Sequence, residues 1–335
     1  MYLDYFGVKE EPFNLTSNPD YFFLSGEHKE ALARIEAGFE MEKGLMLLTG
    51  EAGVGKTTLI NAYLHESRPT QHIAFISNIE LANKNLLENI CRHFELDIKY
   101  DETSRESLIN LLYKFVLEES FTGKKVGVII DDAHKLTNEQ LEDLQILSNM
   151  ETNTRKLFQI LLVGLPKLGE LLESQNYISL KQHIQMHFQL RSMSYSDTQN
   201  YIFYRLALAG YTNKDIFTSD AIQKVFRLSK GNPRMINVIC SNALLAAFCA
   251  NKRKVDHYMI EFGMQEILGQ SSTEEALPPN CYLNEKFPPP FKNQAIQMLK
   301  SPPWYFWVLL VLWLILAQFG ITILVQYLIK HWGIF

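Results

Sequence analysis

The stretch "GEAGVGKTT", residues 50–58, decides the fold. Its spacing, G-x4-G-K-T, suits a loop that cradles phosphate. Gly50, Gly53 and Gly55 let the main chain wrap closely around an anion, so that the backbone of Gly50, Glu51, Ala52, Gly53, Val54 and Gly55 forms the cradle. Lys56 reaches the outer phosphate oxygens and is assigned to both binding and catalysis. Thr57 offers its hydroxyl to Mg²⁺, and Thr58 continues a helix whose positive N-terminus faces the same anion. The expected ligands are ATP and Mg²⁺.

Outward from the loop, short apolar runs alternate with amphipathic ones. "GLMLLTG" (44–50), "HIAFIS" (72–77), "VGVIID" (126–131) and "LFQILLVG" (157–164) read as strands buried on both faces of a parallel sheet. Between them, Leu86, Leu87, Ile90 and Phe94 share one helical face. So do Leu108, Leu111, Leu112 and Phe115, behind a capping box expected from Thr103 and Glu106. A second box, Thr137 with Gln140, opens the helix after the third strand. This βαβ order predicts a three-layer α/β domain.

The third strand runs into "GVIIDDAHKL" (127–136). A carboxylate at the end of such a strand orders the Mg²⁺ shell of a P-loop ATPase, which makes Asp131 the metal-side residue beside Thr57. The next acid polarises the attacking water in many of them, which makes Asp132 the catalytic candidate. The usual occupant there is glutamate, and one missing methylene shortens the reach by about an ångström where such a misplacement costs ~10²-fold. The competing reading of the pair is a cap for the following helix. His134 reads as a turn or partner contact.

Taken in order, "YFGVKEEPF", "GEAGVGKTT", "VIIDDAHKL", "KLFQILLVGLPKL", "LKQHI", "YIFYRLALAG" and "GNPRMINVIC" resemble the AAA+ ATPases of the ExeA/GspA type, over nearly all of residues 1–265. The resemblance implies a P-loop AAA+ core over 1–192 and an α-helical lid over 193–265. It also implies ATP hydrolysis, and a role in assembling a bacterial secretion or pilus machine from the inner membrane. Capping by Ser196 and Gln199, a stripe of Ile222, Val225 and Phe226, and "ALLAAFCA" fit helices in that lid. Arg234, in "GNPR", stands where the family's lid arginine touches the nucleotide phosphates; a solvated lid arginine is the alternative.

Three positions depart from the family. His183 replaces the arginine likened to a finger reaching a neighbour's nucleotide, and such a finger is worth ~10³ to 10⁵ in turnover. Leu165 replaces a polar residue that helps orient water, and Asp132 is the third. Arg155 or Arg191 is either a substitute finger or a solvated charge. His183 and His187 are not a metal pair, because "HIQMHFQL" alternates with period two and a strand separates them by roughly 13 Å.

The chain has 335 residues, 47% of them hydrophobic and 21% charged, enough for a sizeable core. A net charge of −5 offers no general attraction to DNA, which makes a transposition or partition-type DNA ATPase the disfavoured alternative. The four cysteines, Cys91, Cys240, Cys249 and Cys281, show no paired spacing and are assigned no chemistry.

From Trp304 to Ile329 the chain carries no formal charge, and 26 helical residues exceed a hydrocarbon core of roughly 30 Å. One C-terminal transmembrane helix (304–329) is expected. A proline-rich linker (266–303) precedes it and a short extracytoplasmic tail (330–335) follows. Lys286, Lys292 and Lys300 before the span keep the ATPase domain cytoplasmic. Gln318, Thr322 and Gln326 line one side of the span, either as a contact with a membrane partner or a sister copy or as a tolerated polar stripe; a homo-oligomer is expected. No periplasmic peptidoglycan-binding domain is expected, and hence no direct contact with peptidoglycan. A nucleotide-binding scaffold without turnover is the remaining alternative.

Overall fold

The structure is a computed structural model and describes residues 2–15, 21–66, 70–77, 85–98, 104–174, 177–211, 213 and 215–268. Among these, β1 (Leu45–Gly50), β2 (Gln71–Ile76), β3 (Lys125–Ile130), β4 (Phe158–Gly164) and β5 (Ile184–Leu190) form one parallel sheet in the order β2-β3-β4-β1-β5. Side chains alternate along the strands. Leu45, Leu47, Val128, Ile130, Ile160 and Leu162 face one side, while Met46, Leu48, Ile129, Leu161 and Val163 face the other. Fully burying a leucine or isoleucine is worth about 1.5–3 kcal/mol. A one-residue slip would exchange every partner, so the register is strongly specified.

The chain opens with α1 (Tyr2–Phe6). Helices α2 (Gly26–Glu40) and α3 (Lys56–His65) cover one face of the sheet through Ile35, Phe39, Leu59, Ile60 and Tyr63. The other face is covered by α4 (Leu86–His93), α5 (Arg105–Phe121), α6 (Asn138–Ser148), α7 (Pro166–Glu173) and α8 (Ile178–His183). The expected three layers are therefore present. A separate cluster joins α9 (Tyr195–Leu208), α10 (Ser219–Ser229), α11 (Pro233–Cys249) and α12 (His257–Leu268) into the helical lid. The N-terminal segment packs there too: Phe6, Val8 and Phe13 belong to the lid cluster, and Arg205 of α9 donates to the carbonyls of Pro12 and Asn14 at 2.6 and 2.7 Å.

Several expectations shift in detail. The Thr137–Gln140 capping box is present on both sides. Thr103 lies outside the described residues, and the cap of α5 is Ser104, whose hydroxyl accepts from the Ser107 amide. Likewise Ser194 rather than Ser196 caps α9, accepting from the Asp197 amide, while Ser196 and Gln199 lie within the helix. His183 ends α8 instead of starting a strand, but β5 shows the expected period-two burial. Residues 266–268, assigned to the linker, belong to α12. The rest of the linker, the span with Gln318, Thr322 and Gln326, the tail and Cys281 lie outside the described residues. Among the described residues no helix is long and apolar enough to cross a membrane. Cys91 and Cys240 are buried, and burial pushes both thiols up, Cys91 to about 12, in keeping with their lack of assigned chemistry.

Candidate nucleotide-binding site

Because every strand is parallel, the chain leaves β1, β3 and β4 at the same edge of the sheet. The loop 50–57 follows β1, Asp131 follows β3, and Leu165 comes up between them from β4. Gly53 and Gly55 have φ of +81° and +100°, values that L side chains rarely adopt. Gly55 also stands as the N-cap of α3 and supplies no side-chain bond, whereas serine, threonine or asparagine side chains cap α2, α4, α5, α6, α9, α10 and α11. The first amides of α3 are thus left to an anion.

The loop carbonyls, which would repel that anion, are each held by a donor. The Lys56 ammonium donates to Gly50 and Glu51 at 2.8 and 2.9 Å. The Asn232 side chain donates to Ala52 at 2.7 Å, and the Arg234 amide reaches Gly53 at 3.4 Å. His28 Nε2 lies 3.1 Å from the Val54 carbonyl, which can only accept, so this nitrogen carries the proton. The other ring nitrogen of His28 then accepts from the Ser25 hydroxyl at 2.6 Å. Burial lowers the pKa of His28 and keeps the ring neutral, and it lowers that of Lys56 against the pull of Asp131, Asp132 and Glu51.

On the metal side, the Thr57 hydroxyl donates to Asp131 Oδ2 at 2.5 Å, and Asp131 Oδ1 accepts the Asp132 amide at 2.8 Å. Asp131 is 4% exposed. Two hard oxygens meeting beside the loop fit Mg²⁺, which takes few protein ligands and completes its octahedron with phosphate and water. Asp132 is half-exposed in the left-handed region (φ 53°), pairs with Lys135 at 3.3 Å, and makes no capping bond to the short 3₁₀ turn it precedes. The helix-cap reading of the pair therefore fails: α6 is capped by Thr137.

These groups line a cleft of about 550 Å³. Ala52, Gly53, Gly55, Lys56, Thr57, Thr58, Asp131, Asp132 and Arg234 all reach it. Gly50, Glu51 and Val54 serve from behind, through carbonyls and, for Val54, a side chain buried under the loop. Leu165 does project into the cleft. His134, read as a turn or partner contact, lines it as well, with a buried Nδ1 that has no hydrogen-bond partner. His183 and His187 bond to different groups, Ser148 and Thr49, and share no site. Arg155 is held by Ser120 and Glu42 at the opposite edge of the sheet, and Arg191 lies in a shallow groove with Glu27, Glu30 and Arg34. The arginines at the cleft are Arg205 and Arg234.

Sequence reasoning missed the far wall: Asn14, Leu15, Tyr21, Phe22 and Phe23 from the N-terminal segment, with Met193, Tyr201 and Asn237 from the lid. Tyr201 donates to Asn237 at 2.8 Å, and the Arg205 guanidinium stacks 4.4 Å over Tyr21. The aromatic density of "YFF" (21–23) is the signal that could have found it, since flat side chains suit a flat ligand.

A family model described as "AAA domain" matches residues 40–172. The chain is 38% identical over 269 residues to general secretion pathway protein A of Aeromonas hydrophila, covering 80% of this chain and 49% of that protein. It thus spans about half the length of this curated relative. Among solved structures, Cdc6p of Pyrobaculum aerophilum superposes with a TM-score of 0.57 at 12% identity, over 78% of this chain and 72% of that one. ORC2 of Aeropyrum pernix gives 0.54 at 15%, over 79% and 73%. At such identities these two speak for the fold alone. Kinship rests instead on the 38% match together with the AAA domain: the chain is a homologue of general secretion pathway protein A, and its residues 40–172 match an AAA domain.

Proposed function

We propose that the cleft binds ATP with Mg²⁺ and that the bound nucleotide sets the assembly of a bacterial envelope secretion or pilus complex. The observation that carries the binding is that every carbonyl from Gly50 to Val54 bonds a donor within the protein, which leaves the loop amides to meet phosphate. Lys56 exchanges two carbonyls for phosphate oxygens, Thr57 and Asp131 hold the metal, Arg234 meets the phosphates from the lid, and the aromatic wall takes the base. Mg²⁺ supplies charge neutralisation at the phosphates when bound.

Hydrolysis is slow or completed by a partner. Asp132 is our candidate for polarising water, but the Leu165 side chain lining the same cleft offers no hydrogen bond, which favours the second reading, a nucleotide-holding scaffold without turnover. Multiple-turnover phosphate release from the membrane-embedded chain separates the two. If turnover occurs, Asp131→Asn abolishes it, and Asp132→Glu raises it about tenfold by restoring the missing reach. No release above background from either the parent or Asp132→Glu leaves the scaffold reading.

The name of the relative supports a secretion partner. We place the chain in the bacterial inner membrane by the single span 304–329, with its nucleotide domain cytoplasmic and the chain in a homo-oligomer. Crosslinks from Gln318, Thr322 and Gln326 to a membrane protein of the secretion system or to a sister copy are expected. A chain recovered in the supernatant without detergent contradicts the anchor.

A further inference from the structure

We propose that Asn232 is a positioning residue that latches the lid onto the phosphate loop and so presets Arg234 for the nucleotide. This rests on the nucleotide reading above and adds to it the device that couples lid to loop.

The orientation of the Asn232 amide is fixed by its partners. Its Oδ1 accepts from the amides of Arg234 at 3.1 Å and Met235 at 3.3 Å, so its Nδ2 is the atom 2.7 Å from the Ala52 carbonyl. Capping α11 requires only the oxygen, and serine, threonine or aspartate caps comparably. The nitrogen is a second function, spent on the other body of the molecule 180 residues earlier in the chain.

The contact is close on both sides. A Cβ at Gly53 would stand 2.8 Å from both Asn232 Oδ1 and Arg234 Cβ, so the loop and the start of α11 touch. Behind Asn232, Gly231 has φ +73° and a Cβ there would fall 2.0 Å from the Met193 carbonyl, which fixes the turn that delivers the asparagine. The Met193 amide in turn donates to the Gly231 carbonyl at 2.9 Å. The Asn232 side chain, with the longer bond from the Arg234 amide to the Gly53 carbonyl at 3.4 Å beside it, therefore ties the loop to the helix that carries Arg234. A movement of the loop on binding triphosphate is passed to α11, a 17-residue helix at the centre of the lid cluster.

Asn232→Ser and Asn232→Thr keep a neutral cap but remove the donor that spans to Ala52. In the full chain in detergent, both variants are expected to melt within a few degrees of the parent while the MgATP dissociation constant rises about fivefold, the value of one hydrogen bond. Arg234→Ala is expected to weaken binding less in the Asn232→Ser background than in the parent, because the arginine is no longer preset. Unchanged affinity in both cap-retaining variants, or fully additive losses with Arg234→Ala, overturns the latch. A parent that binds no MgATP overturns the nucleotide reading and the latch together, whereas a parent that binds equally to its variants overturns the latch alone.

Discussion

At the residue scale, the site is a problem of carbonyl disposal. A loop that turns its amides toward an anion must send its carbonyls elsewhere, and here each finds a named donor from Lys56, His28, Asn232 or the Arg234 amide. The spacing of glycines, lysine and threonine made the loop legible in sequence because those residue types are required within eight positions of each other. His28 and Asn232 were not legible. In "SGEH" and "GNPR" each sits by an ordinary helix start, and their bonds to the loop span 26 and 180 residues that only the fold closes.

His28 also makes a pH prediction. Its folded pKa lies below the ordinary value of about 6.5, so the unfolded chain takes up the proton first as pH falls. Stability is then fully present above about 6.5 and is lost as pH drops toward the folded value. His28→Gln, which keeps a donor for Val54, is expected to reduce that acid loss in urea midpoints compared between pH 8 and pH 5.5. His134, lowered in the same direction by burial and then by Lys167, retains a share of it.

At the element scale, the five strands and helices α3–α6 and α9–α11 were legible from period, composition and motif, whereas α1, α2, α7, α8 and α12 were not read, and a helix start was legible where a box partner singled out one cap. Thr137 has Gln140 three residues on, whereas its neighbour Asn138 has Leu141 there and can complete no box, and the expected box formed. At "TSRES" and "SMSYSD" several hydroxyls compete. The winner is set by which position starts the turn that buries Leu108 and Leu112 in α5, or Thr198, Tyr201 and Ile202 in α9. The cap of α9 gives a direct comparison. Ser194→Ala is expected to cost about 1 kcal/mol in chemical denaturation and Ser196→Ala only a few tenths. Equal costs would contradict the cap geometry.

At the scale of the whole molecule, strand order and the path of the N-terminus were beyond the sequence. Parallel strands read alike wherever they sit, so β4 between β3 and β1 emerges only from packing, yet it is what brings Leu165 between Asp131 and the loop. Residues 2–13 carry no signal for their partner, and they settle on the lid. Arg205 secures them, and it is 5% exposed with two carbonyls to satisfy. Arg205→Ala strands both carbonyls and is expected to lower stability by about 2–4 kcal/mol in urea titration, with nucleotide affinity falling as the aromatic wall loosens. A loss below ~0.5 kcal/mol would show that the N-terminal segment is not held this way.

The central claim, that triphosphate is bound by the backbone of residues 50–57 through Lys56, is tested most directly by calorimetric titration of the full chain with MgATP. Saturable, magnesium-dependent binding is expected, weakened about a hundredfold by Lys56→Ala through the loss of two charge-assisted bonds. Binding of equal strength in Lys56→Ala, or no heat from the folded parent, would contradict it.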